Sequence, residues 1–196
     1  MMDSVQIVES ASSRMAVIDL QSKLLQSNLI FITDEITADS VATYQAELLY
    51  LASKMTPKDS EEDPIKIYIN SPGGECYSAL GLYDIMQSLI NKGYVIETYN
   101  VGWSASAAAI ILLSGSKGHR FCMPHATVMV HQPWSGTYGK VTDMEIDVKE
   151  SKRLKETLND IVKKHASEEL IDKMERDYYL TAEEAKKFNI IDEIKV

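Results

Sequence analysis

Ile65-Lys66-Ile67-Tyr68-Ile69-Asn70-Ser71-Pro72-Gly73-Gly74 is the stretch whose reading decides the fold. Its isoleucines alternate with Lys66, Tyr68 and Asn70, which is the two-residue period of a strand with one buried face. Ser71-Pro72-Gly73-Gly74 then breaks the strand, and Leu82, Ile85, Met86 and Leu89 recur at helical spacing. A strand, a tight turn and an amphipathic helix therefore form one unit, and the pattern recurs outward from it. Upstream, Leu24–Ile32 holds a short strand-like run. Thr37–Ser53 follows with Val41, Tyr44, Leu48 and Leu51 on one helical face and Thr37 or Asp39 to cap it. Lys54–Pro64 is charged, contains Pro57 and Pro64, and reads as a surface loop. Downstream, Tyr94–Val101 reads as a strand, Ala105–Leu113 as a buried helix and Ala126–His131 as a strong strand. Thr142–His165 carries Met144, Val148, Leu158, Ile161 and Val162 among charged residues, the mark of a long amphipathic helix. Thr181 followed by Glu184 is a capping box opening a last short helix. No Pro/Gly/Ser-rich linker or internal repeat divides residues 1–196, so the expectation is one α/β domain.

Composition narrows the function classes. The 196 residues are 45% hydrophobic and 25% charged, a globular balance, and a chain of this length buries a core without staples. The net charge of -9 disfavours nucleic acid and an anionic membrane as partners. Cys76 and Cys122 make no disulfide framework, and no Cys/His group has zinc spacing, so no metal is expected. Met1-Met2-Asp3-Ser4 lacks the form of a signal peptide, and the apolar run Ala105–Leu113 is too short to cross a bilayer. The expectation is a cytoplasmic, reduced protein.

Three junctions can carry chemistry. Glycines after a strand, as in Asn70–Gly74, let backbone N–H groups approach a ligand, although Gly-Gly also serves any plain strand-to-helix turn. In Gly102-Trp103-Ser104-Ala105-Ser106-Ala107-Ala108, Ser106 stands among small residues where a strand gives way to an apolar helix, with Ser104 as its rival. A serine there either caps the helix or serves as a nucleophile beside N–H groups able to stabilise an oxyanion. Ala108 departs from the G-x-S-x-G elbow. His131 ends the apolar run Val128-Met129-Val130, ahead of Gln132-Pro133, where it serves either as a general base at the rim of the sheet or as a structural core residue. His119, His125 and His165 lack such a setting.

Taken in order, Tyr68–Gly74, the Ala105-Ser106 pair, Val128–Pro133 and Leu180-Thr181-Ala182-Glu183-Glu184-Ala185 closely resemble the ClpP family of self-compartmentalised serine proteases, from about Val8 to Ile194. Gly136, Gly139, Thr142, Glu145 and Ile146 fall at the spacing of that family's handle region, residues 134–165 here. The resemblance implies a ClpP/crotonase-like α/β spiral of strand-turn-helix units with a long handle helix, and an N-terminal pore segment at residues 1–20. It places the nucleophile on Ser106, the general base on His131 and the oxyanion donors on the backbone N–H groups of Gly74 and Ala107. Counting back from Leu180–Ala185 places the third catalytic member on Asp177, with Asp172 and Glu175 as fallbacks.

The resemblance further implies a homo-oligomer of two stacked heptameric rings, joined through the apolar stripe of the handle. A AAA+ Clp ATPase unfoldase would deliver unfolded protein, and short peptides would be cleaved unaided. ATP would then belong to the partner and no cofactor to this chain, and a ClpP paralogue is a further possible ring partner. Cleavage is expected after apolar side chains. Trp103, Ser104, Ala107 and Ala108 depart from the family's usual residues around the serine, Glu75-Cys76 from its usual Ser-Val, and Asn189 from a glycine. Two other readings stand beside this one: a non-catalytic or regulatory ring subunit, and a crotonase-type enzyme acting on acyl-CoA.

Overall fold

Ile65, Ile67 and Ile69 are each at most 1% exposed, and they anchor an interior strand of a parallel sheet. The computed structural model describes residues 5–11 and 14–195. Met1–Ser4 lies outside the described residues, as does part of the N-terminal segment 1–20. In chain order, β1 (Gln6–Ala11) and β2 (Arg14–Asp19) form an antiparallel ribbon, which the polar composition of that region does not announce. There follow α1 (Leu20–Leu25), β3 (Leu29–Ile32), α2 (Ala38–Lys54), α3 (Pro57–Glu62), β4 (Ile65–Ser71) and α4 (Cys76–Asn91). The second half comprises β5 (Ile96–Ala105), α5 (Ala107–Leu113), β6 (Arg120–Cys122), β7 (Thr127–Val130) and α6 (Val141–His165). The chain closes with α7 (Leu170–Lys173), β8 (Tyr178–Leu180), α8 (Ala182–Lys187) and β9 (Glu193–Ile194).

Local chemistry explains most boundaries. Thr37 rather than Asp39 caps α2, its hydroxyl accepting from the Ser40 N–H, and Val41, Tyr44, Leu48 and Leu51 all face the core. Thr181 and Glu184 form the anticipated capping box. The loop expected at 54–64 is a helix over most of its length. Thr56 and Asp59 cap each other reciprocally and Pro57 opens the first turn, where its missing N–H costs nothing. The strand expected at 94–101 runs on to Ala105, because its far end has a second partner.

That second partner decides the architecture. The sheet runs β3-β4-β5-β6-β9, all parallel, while β7 also pairs with β5, and β8 joins β7 antiparallel. Thr98–Asn100 of β5 pair with Arg120–Cys122, whereas Trp103–Ala105 pair with Thr127–Met129, so β5 forks. The fully buried Asn100 sits at the fork. Its side-chain amide donates to the Thr127 carbonyl at 2.9 Å, and its oxygen accepts from the Gly102 N–H at 3.3 Å. These bonds satisfy backbone groups that the divergence would otherwise leave unpaired.

Helix α6 is not the single stripe that its periodicity suggests. Leu154, Leu158, Ile161 and Val162 are buried in the chain's own core. Val141, Met144, Ile146 and Val148 are exposed, at 72%, 37%, 62% and 45%. Leu158 and Ile161 therefore do not belong to a free surface. The free apolar face is the first two turns of the helix alone.

Candidate active site

Ser106 follows β5 directly, His131 follows β7 by one residue, and Asp177 precedes β8 by one. Because β5, β7 and β8 are consecutive neighbours, their ends bring three residues distant in sequence to one edge of the sheet. His131 Nε2 lies 2.7 Å from Ser106 Oγ, and His131 Nδ1 lies 3.0 Å from Asp177 Oδ1. A carboxylate only accepts, so Nδ1 carries the hydrogen and Nε2 is left as the acceptor for the serine hydroxyl. Ser106 has φ 55° and ψ -120°, a conformation a non-glycine residue adopts at a cost of about 1–3 kcal/mol. Its N–H donates to the Met129 carbonyl at 2.8 Å, which continues the β5–β7 ladder one step and fixes the strained residue. All seven residues of α5 behind it are buried.

The remaining sequence candidates fall elsewhere. Ser104 is fully buried within β5, and its hydroxyl has no hydrogen-bond partner among the described residues. Asp172 lies on α7, and the Glu175 carboxylate pairs with Lys155 rather than with a histidine. His165 packs edge-on against Tyr83, and burial pulls its pKa down to about 4. His119 sits 3.2 Å from Glu97. Among the described residues, no His/Cys/Asp/Glu group is arranged to hold a metal ion, and no helix is long and apolar enough to cross a membrane.

The Gly73-Gly74 turn lies against the nucleophile. The Gly73 carbonyl accepts from Ile36 N–H at 2.8 Å, and the Ile36 carbonyl accepts from Glu75 N–H at 2.8 Å. In this alternating pattern the intervening Gly74 N–H points away from Ile36. A Cβ on Gly73 would lie 2.4 Å from the Ala105 oxygen and 2.9 Å from both Ala107 N and Ser106 Cβ. Only glycine permits that approach, and at φ +89° only glycine is unstrained. Ala107 opens α5, so its N–H is among the donors a helix start leaves without an intrahelical partner.

Beside Ser106 and His131 opens a narrow cleft walled by Cys76, Ala79, Ile110, Val130, Pro133, Leu158 and Met174. No charged side chain lines it. Burial pushes the Cys76 thiol up from its ordinary pKa, so it stays neutral and behaves as a small apolar wall. Glu75 turns to Ser78, whose hydroxyl donates to it at 2.7 Å. The wall residues Ile110, Leu158 and Met174 are silent in the sequence as site residues, because each also reads as ordinary core.

The sequence as a whole is similar to known proteins. A family model described as Clp protease matches residues 12–196. The ATP-dependent Clp protease proteolytic subunit of Bacteroides fragilis is 39% identical over 97% of this chain and 89% of its own length. The subunits of the same name from Bacteroides thetaiotaomicron and Porphyromonas gingivalis are 38% and 39% identical over 97% and 96% of this chain, and over 84% and 82% of their own lengths.

Proposed function

From the premise that this chain belongs to the Clp protease family and is a peptidase, we propose that Ser106, His131 and Asp177 cut peptide bonds by acyl transfer. The observation that carries this reading is the unbroken line from Ser106 Oγ through the two ring nitrogens to Asp177. Ser106 Oγ attacks the peptide carbonyl while its proton passes to His131 Nε2. Asp177 holds the ring in the required tautomer and balances the positive charge that forms. The Gly74 and Ala107 N–H groups receive the developing oxyanion. Collapse of the tetrahedral species expels the amine, which takes the proton from His131, and water then hydrolyses the acyl ester by the same route. The uncharged cleft takes an apolar side chain on the acyl side of the bond.

Assembly belongs to the same reading. Val141, Met144 and Val148 share one exposed face of α6 at helical spacing, a face suited to an apolar partner, and Leu49 and Tyr50 of α2 are also half-exposed. This supports a handle in residues 134–165 that meets its counterpart on a second ring, in a homo-oligomer of two stacked heptameric rings. The words "ATP-dependent" in the relatives' names support a AAA+ Clp ATPase that unfolds protein substrates for this chain. ATP is then consumed by that partner, with no cofactor in the peptidase, and the site of action is cytoplasmic. A non-catalytic ring subunit has no use for the aligned hydrogen bonds and the strained serine.

The test is labelling with a fluorophosphonate probe, with the modified residue identified, beside hydrolysis of short apolar peptides. Modification of Ser106 and loss of both activities in Ser106→Ala are expected. Labelling that persists in Ser106→Ala, or maps to Ser104, refutes the assignment.

A further inference from the structure

We propose that Lys155 is a positioning residue for peptide hydrolysis, holding Asp177 against His131 by clamping Glu175 to helix α6. The inference rests on the triad reading above. Asp177 is 62% exposed at its side chain, so water competes with His131 for the carboxylate and burial does not fix it. Its place comes from the backbone on either side of it: after it, Tyr178 pairs with Val130 in the sheet, which leaves the stretch before Asp177 as the side still to be held. That stretch is stitched to the residue after the general base. Gln132 N–H donates to the Met174 carbonyl at 2.6 Å, and the Gln132 side-chain amide donates to the Glu175 carbonyl at 3.0 Å. Met174 is 3% exposed and anchors one end of the segment. The other side is closed by Lys155, whose ammonium donates to Glu175 Oε1 at 2.5 Å. Lys155 is a rigid reference point, because its neighbours Leu154 and Leu158 are both buried. Residues 141–149 of the same helix have no such footing.

The pair is partly exposed, 31% at Lys155 and 55% at Glu175, so its loss shifts the engaged arrangement by at most about fivefold. The experiment measures kcat and KM on an apolar fluorogenic peptide for the assembled protein, with particle mass recorded for every variant. Lys155→Ala is expected to lower kcat about three- to fivefold with KM within about twofold and particle mass unchanged. Lys155→Arg should restore kcat. Lys163→Ala, which removes a lysine 3.7 Å from Asp160 on the same helix, should change nothing. In an Asp177→Asn background, followed by the slow rate of fluorophosphonate labelling, Lys155→Ala should add no further loss, because it acts through Asp177.

An unaltered kcat in Lys155→Ala, an equal loss in the Asp177→Asn background, or a loss that tracks a fall in particle mass overturns the inference and leaves the triad standing. Hydrolysis by the parent that survives Ser106→Ala overturns both.

Discussion

Replacing Gly73 by alanine tests the geometry of the turn without touching a side chain of the triad. The new Cβ would sit 2.4 Å from the Ala105 oxygen, where ordinary contact begins near 3.4 Å. The other two neighbours, Ala107 N and Ser106 Cβ, belong to the nucleophile segment itself, so no flexible side chain can move aside. The turn and the nucleophile must therefore separate by about an ångström, and a displacement of that size costs on the order of 100-fold in rate. The left-handed φ adds about 1–2 kcal/mol of instability for a residue with a Cβ. Gly118 separates the two effects: its φ is +87°, but nothing lies within 4 Å of an added Cβ. Gly118→Ala should lower the melting temperature while keeping kcat. Gly73→Ala should lose both, with kcat down about 100-fold on a short apolar peptide. A Gly73→Ala protein that melts cooperatively and retains more than about a third of parental kcat would refute the placement of this turn beside the reacting carbonyl.

Cys76→Leu adds bulk inside the cleft, so kcat/KM for a peptide with phenylalanine at the cleaved position should fall about tenfold while the alanine peptide changes little. A library screen dominated by acidic residues at that position would contradict the apolar reading. Val148→Asp places a charge on the exposed apolar face of α6 and should lower both particle mass and specific activity in parallel titrations; full activity in a confirmed monomer or single ring sinks the coupling. His165 has its folded pKa depressed to about 4 from an ordinary 6.5, so between these values the unfolded chain binds the extra proton. Stability should therefore fall as pH drops from about 6.5 to 4. After discounting for partial exposure the loss is about 1–2 kcal/mol, and His165→Gln should flatten this limb of a melting-temperature profile.

Legibility in the sequence followed the length and periodicity of each element. β4 and α4 announce themselves because isoleucines at period two give way to apolar residues at helical spacing. Ser106 and His131 are visible because each stands at the end of such a run. Asp177 is different: its local pattern separates it from neither Asp172 nor Glu175, and only the resemblance singles it out, through the count back from Leu180–Ala185 and the Arg176-Asp177 pair. β6, β8 and β9 have three, three and two residues, too few to show alternation, and they exist because longer strands lie beside them. Helix α3 hid behind its charge, although Thr56-Pro57-Lys58-Asp59 carries its cap in plain view. In α6 one apolar period conceals two destinations, since the helix changes surroundings near Leu154 without changing its pattern.

The fork in β5 has a consequence for how this chain tolerates change over generations. Substitutions at Thr98–Asn100 are filtered by whether the chain folds, since that half of the strand holds β6 and Asn100 spans the divergence. Substitutions at Trp103–Ala105 meet a second filter as well, because that half sets the pitch at which Ser106 leaves the sheet. Trp103 is 39% exposed, while Ser104 and Ala105 are fully buried. Trp103 is thus the position on that arm where a new side chain disturbs packing least, and inherited variation between related chains should collect there rather than at Ser104 or Ala105, while Asn100 stays unchanged.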